Sequence, residues 1–260
     1  MMKALWFWLA LAGVASAAAS ADQVFVRTPI TRDTWIPEDT SAPQCNTGIL
    51  CIGDPPAEEG YIVLGLELPP APSCNGGHYQ AADATLNLYS LGDGVETINV
   101  SVHRVRTDYF WNEDPFCPTR ARQPEYRAAP LDVRSVDQSS AGWHSFDITC
   151  AVAGWYNDPQ CVPNNGLLLR STTRPSTGPI GCFASKDYQE DPSKQPYVVI
   201  EFDCKPEGQT PGWIRECYVD PDNPSELIDP TCCPMGRTVD GRCIADVEAT
   251  SWGFIKSQYQ

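Results

Sequence analysis

The run Ile98-Asn99-Val100-Ser101-Val102-His103 sets three apolar side chains on one parity and three polar ones on the other. Alternation with a period of two turns one face of an extended strand toward a core and the other toward solvent. The same signal recurs on both sides of this run. Residues 23–27 (QVFVR) alternate, and in 85–89 Leu86 and Leu88 oppose Thr85, Asn87 and Tyr89. Residues 60–68 (GYIVLGLEL) are apolar and stop at Pro69-Pro70. Residues 143–148 (WHSFDI), 166–170 (GLLLR) and 197–202 (YVVIEF) follow, separated by Gly, Pro, Asn and Asp. Between these runs, helical character is limited to a candidate turn or two at 150–155 (CAVAGW). Many short strands with turn punctuation predict an all-β chain, an antiparallel sandwich or barrel.

The compartment follows from the first residues. Lys3, the apolar run 4–14 and Ala19-Ser20-Ala21 have the form of an export leader over 1–21, with Asp22 as the expected mature start. The run is shorter than the roughly 20 residues a membrane span needs, and no later segment is apolar enough, so no span is expected. A secreted, extracellular or cell-surface location is the resulting expectation. Twelve cysteines lie beyond the leader: Cys45, Cys51, Cys74, Cys117, Cys150, Cys161, Cys182, Cys204, Cys217, Cys232, Cys233 and Cys243. An even count in an exported chain predicts disulfides. Zinc is disfavoured, since no Cys-x-x-Cys occurs and the histidines are only His78, His103 and His144. Cys150 and Cys161 bracket the short helix and are expected to pair locally; spacing leaves the other pairings open.

The formal net charge is −15, and one unit more negative without Lys3. Such a chain repels phosphate backbones, so neither nucleic acid nor anionic lipid is an expected partner. No motif demands a cofactor or metal, with calcium the one ion that the carboxylate-rich composition suits. A boundary is expected after Cys204. Residues 22–204 form the β body, 205–245 a small disulfide-rich C-terminal appendage, and 246–260 an amphipathic tail with Trp252, Ile255 and Tyr259 on one helical face. In the appendage Asp220, Asp222, Asn223 and Glu226 depart from EF-hand spacing and read as a solvated loop.

Catalytic motifs are missing: no Gly-x-Ser-x-Gly elbow, no His-Glu-x-x-His, no phosphate-binding glycine loop. A glycosidase carboxylate pair is set by the fold and cannot be assigned from spacing. His103 lies on the polar side of its strand and reads as structural. Asn99-Val100-Ser101 is a glycosylation sequon. The expected ligand site is aromatic: Tyr109-Phe110-Trp111 and then Asn112-Glu113-Asp114 close a strand and open a loop. An exposed ring beside carboxylates and amides suits a sugar, which has apolar C–H faces and hydroxyls. Tyr109, Trp111, Asn112, Glu113 and Asp114 are therefore the candidate ligand residues, with Trp35 beside them. Trp111 admits a second reading as a lid folded onto the core; Trp143 and Trp155 read as core.

A family resemblance lies over these runs. Gly142-Trp143-His144-Ser145-Phe146-Asp147-Ile148-Thr149, then Val152, Gly154 and Trp155, then Asn164-Asn165-Gly166-Leu167-Leu168-Leu169 together resemble the DNRLRE-type domain of exported and cell-surface proteins. Asp33-Thr34-Trp35-Ile36, Asn46-Thr47-Gly48, residues 84–89, Val102-His103-Arg104-Val105 and 196–200 extend it over 22–204. Tyr61 and Gly65 stand where that family usually carries arginines. The resemblance implies a jelly-roll β-sandwich in a non-catalytic module that binds polysaccharide at the cell envelope or in the extracellular matrix. The alternatives are a structural or adhesive surface protein with a protein partner, or a polysaccharide hydrolase or lyase. Oligomeric state is left open.

Overall fold

The computed structural model describes residues 23–36, 44–52, 60–74, 77–94, 97–106, 111, 113, 117, 124–157, 159, 162–171 and 181–206. The expected leader, the appendage beyond Pro206 and the terminal tail lie outside the described residues. Among the described residues the strands are β1 (Gln23–Ile36), β2 (Gln44–Cys45), β3 (Ile49–Cys51), β4 (Tyr61–Leu66), β5 (Ser73–Cys74), β6 (Gly77–Ser90), β7 (Thr97–Arg104), β8 (Asp132–Asp137), β9 (Gly142–Asp147), β10 (Leu167–Ser171), β11 (Cys182–Ala184) and β12 (Tyr197–Pro206). One α-helix, α1 (Thr149–Asn157), joins them.

Every pairing among these strands is antiparallel. The first sheet runs β1–β12–β6–β9 and the second β4–β10–β7–β8. Chain-order neighbours thus tend to fall in opposite layers, the wrapping of a jelly roll, as the alternation predicts. β1 serves both sheets. Its first half pairs with β12 through Pro29, and its second half pairs with β4 from Ile30 on, across a register shift between Ile30 and Arg32. A bulge of this kind bends a strand and re-aims its side chains.

Period-two patterning explains what lies between the layers. Val198, Ile200, Leu86, Leu88 and Phe146 point inward from the first sheet, and Ile62, Leu64, Leu167, Leu169, Val100 and Val102 from the second. α1 adds Val152 and Trp155, both buried in this core, Trp155 as expected. Full burial of each such side chain contributes about 1.5–3 kcal/mol.

Three crosslinks tie distant segments. Cys51–Cys182 joins directly opposed residues of β3 and β11, Cys74–Cys204 ties β5 to β12, and Cys45–Cys117 ties β2 to the long β7–β8 connection. The loops they close span 131, 130 and 72 residues. In the chain-entropy account each removes roughly 4–5 kcal/mol of unfolded-state freedom. Cys150 is also disulfide-bonded, and its expected partner Cys161 lies outside the described residues.

The turn into β10 is fixed by Asn164-Asn165-Gly166. Asn164 donates to the Leu66 carbonyl and accepts from the Gly166 amide, while Asn165 donates to the Arg106 carbonyl. Gly166 has φ +94°, and a Cβ there would collide with the Leu64 carbonyl oxygen. Only glycine accepts that conformation cheaply. Gly166→Ala is therefore expected to lower stability by about 1–3 kcal/mol, read as a shifted urea midpoint at unchanged slope.

Candidate protein-binding face

A two-layer sandwich has two outer faces, and in this chain they differ. On the second sheet, Ile36, Tyr61, Val63 and Leu168 point away from the main core. They form a smaller apolar cluster with Val105 and Trp111, roofed by Tyr126. Trp111 is only 1% exposed. Its indole N–H donates to the Asn165 carbonyl, and the Arg32 guanidinium stacks 5.0 Å from its ring centroid while donating to the Trp111 carbonyl at 2.7 Å. Arg32 has room because Gly65 faces it across the β1–β4 pair; a Cβ on Gly65 would lie 2.8 Å from Arg32 Nε.

The lid is clasped by three consecutive β1 residues. After Arg32 holds Trp111, the Asp33 amide donates to Glu113 Oε1 at 2.6 Å, and Thr34 Oγ1 lies 3.7 Å from Cys117 Sγ. Glu113 Oε2 also meets Lys186 Nζ at 3.1 Å, and Lys186 pairs with Asp187 at 2.7 Å. Asp33 itself is 1% exposed, and its carboxylate accepts the Lys186 amide at 2.6 Å. Burial pushes the Asp33 carboxyl up to about 7, helped by Glu113 and Asp187 and opposed by the Lys186 amide and ammonium. Burial alone would lower the proton affinity of Lys186, but Asp187 and Glu113 outweigh it and raise it.

The expected sugar platform is thereby corrected. Trp111 is a lid rather than an exposed ring, and Glu113 is engaged by β1 and Lys186. Trp35 packs half-buried against the main core, on the opposite side of β1 from Trp111. Tyr109, Asn112 and Asp114 lie outside the described residues. His103, also on this outer face, is buried, with one ring nitrogen 2.8 Å from the Arg127 carbonyl and the other 2.9 Å from Ser101 Oγ. Burial lowers its proton affinity against the Arg127 hydrogen bond, so it sits as a neutral, satisfied core histidine. Asn99 of the sequon is exposed on β7. Among the described residues no three His, Cys, Asp or Glu side chains converge as metal ligands, and no helix is long and apolar enough to cross a membrane.

The outer face of the first sheet is the opposite case. Trp143 of β9 is 41% exposed and Phe25 of β1 is 62% exposed. Trp143 meets Tyr89 of β6 edge-on at 5.4 Å and Tyr197 of β12 at 5.1 Å. The Arg27 guanidinium lies 3.6 Å from the Tyr197 centroid, and Lys194 Nζ lies 4.9 Å from that of Tyr89. An aromatic row thus crosses three strands, braced by a cation at each tyrosine. The expectation that Trp143 is core is corrected here. The signal was present in β9: Phe146 and Trp143 have opposite parity, and Trp143 shares its side with Ser145 and Asp147.

Among the described residues these features define a crosslinked β-sandwich with one covered and one uncovered outer face. Among known families, the model of the TGF-beta propeptide family matches residues 117–200, spanning β8 to β11, α1 and the start of β12. This corrects the DNRLRE resemblance and the polysaccharide partner it implied. The short motifs behind that resemblance specify strands and turns of a sandwich, and unrelated families share such folds. No curated protein matches the chain as a relative.

The clasp carries a pH signature. A folded-state pKa raised above the ordinary carboxylate value contributes stability that is complete below about 4 and lost as pH rises through about 7. Asp33→Asn has no such proton to lose. Between pH 5 and pH 7 the wild-type chain should lose stability relative to this variant, with a slope approaching about 1.4 kcal/mol per pH unit that levels off above pH 7. Urea unfolding of both proteins at the two pH values checks this; parallel pH profiles would refute the assignment.

Proposed function

We propose that the chain is a secreted, non-catalytic module that engages a protein partner, as a propeptide engages the polypeptide it accompanies. The observation that carries this reading is the match of the TGF-beta propeptide model to residues 117–200. Two features support it. Crosslinks joining segments 72 to 131 residues apart suit an oxidising compartment outside the cytosol. An exposed tryptophan braced by tyrosines is also the side-chain chemistry over-represented where protein interfaces gain most of their energy.

The test is direct binding. The full oxidised chain, immobilised at physiological ionic strength, is exposed to a panel of TGF-beta-type growth-factor dimers. Saturable binding of at least one member, with a Kd of about 1 μM or tighter, is the expected result. No binding by any member at concentrations tenfold higher overturns the reading.

A further inference from the structure

We propose that the bare outer face of the first sheet seats a cationic polypeptide segment carrying an apolar anchor. The inference rests on the protein-partner reading above and names the surface and the chemistry of what it holds.

The register supplies the argument. On the outward side Trp143 of β9 faces Tyr89 of β6, and Tyr197 of β12 lies one outward position further along, opposite Asn87, so that Trp143 meets both tyrosines in one oblique row. Further along the same faces Asp83 of β6 and Glu201 of β12 face each other, with Phe25 opposite Glu201 on β1. Asp147 of β9, opposite Thr85, lies one outward position before them to complete a second oblique row. Trp143 to Asp147 and Tyr197 to Glu201 are each four residues of extended chain, so the rows lie about 13 Å apart. The face therefore offers an aromatic line and a carboxylate line at a fixed separation.

The two lines want different things from a partner. Among the described residues the cations nearest the aromatic row are Arg27 and Lys194, and both are turned onto tyrosine rings, Lys194 also sitting 3.6 Å from Asp191. They brace the row and leave the Trp143 ring open to an apolar side chain. Asp83 and Asp147 accept hydrogen bonds from Thr149 at the start of α1, which fixes their carboxylates without neutralising them. With a net charge of −15 on the whole chain, charge complementarity selects a basic partner. An extended segment with an aromatic or branched aliphatic residue about four positions from a Lys or Arg meets both rows at once.

The other outer face cannot do this. The second sheet is already roofed by Val105, Trp111 and Tyr126. The first carries no comparable roof among the described residues, and an apolar surface left exposed beside charged groups is the usual mark of an interaction site.

The experiment selects displayed random peptides on the full oxidised chain, then measures the enriched peptides on the chain and on Trp143→Ala and Glu201→Gln. Both variants alter side chains outside the core, and their urea midpoints are checked against the parent. Enriched peptides should pair Lys or Arg with an apolar residue about four positions away. They should bind Trp143→Ala about tenfold more weakly, lose severalfold on Glu201→Gln, and weaken as salt rises. Acidic or uncharged consensus peptides, no enrichment, or equal affinity for Trp143→Ala overturns the proposal. Growth-factor dimers that bind the chain and Trp143→Ala equally would retire this face while keeping the propeptide-like reading. Face-dependent peptides with no growth-factor binding would do the reverse.

Discussion

Each sheet of a two-layer sandwich can bury only one face in the shared core, and the chain must then deal with two outer faces. On the second sheet it places Ile36, Tyr61, Val63 and Leu168 outward, side chains that water would not tolerate together, and covers them with Trp111 and Val105. Its β4 is accordingly buried on both sides, which is why 60–68 reads as a continuous apolar run instead of alternating. On the first sheet β6, β9 and β12 place mostly apolar side chains inside and mostly polar or aromatic ones outside, with inward His144 and outward Val199 as the exceptions. One rule, period-two placement, thus yields a third layer on one side and an open aromatic face on the other.

Much of this was legible in sequence. The alternating runs located β1, β6, β7, β9, β10 and β12, and turn residues separated them where the structure does. The short helix at 150–155 is the core of α1, and Trp155 is buried as its apolar neighbours suggest. Less legible was anything set by contacts across the fold. That β1 changes sheets depends on a shift between Ile30 and Arg32 that no local pattern announces. The fate of Trp111 depends on Arg32, Gly65 and Asn165, which are far away in sequence, so an aromatic followed by polar residues looked like a platform and is a lid. Trp143 is the instructive miss, because the parity of β9 already set it beside Ser145 and Asp147.

The resemblance failed for a related reason. Trp-led strands, an Asp before a helix and an Asn-x-Gly turn are each solved physically within this structure: Asp147 accepts the Thr149 amide at the start of α1, and Gly166 takes a positive φ. Those needs arise in any sandwich with this wrapping, whatever it binds. Local motifs therefore argued the fold correctly and the ligand wrongly. Partner chemistry is written in positions the fold leaves free, and these are the outward residues of the first sheet.

The clasp shows how the covered face is kept covered. A carboxylate as deeply buried as Asp33 is costly, and leaving it without hydrogen bonds would cost more. The chain gives it the Lys186 amide, and uses the neighbouring Asp33 N–H to hold Glu113, whose other oxygen takes the Lys186 ammonium. One lysine residue thereby links β1, the segment after β11 and the lid. Cys45–Cys117 holds the same lid covalently, a few residues further along. The polar clasp sets where the lid lies, since its hydrogen bonds are directional. The disulfide limits how far the lid can travel if the clasp opens, because a covalent bond keeps Cys117 beside Cys45 whatever happens to the hydrogen bonds. Specific geometry and tethering are supplied by different chemistry at adjacent residues, and the second outer face stays closed without a large core beneath it.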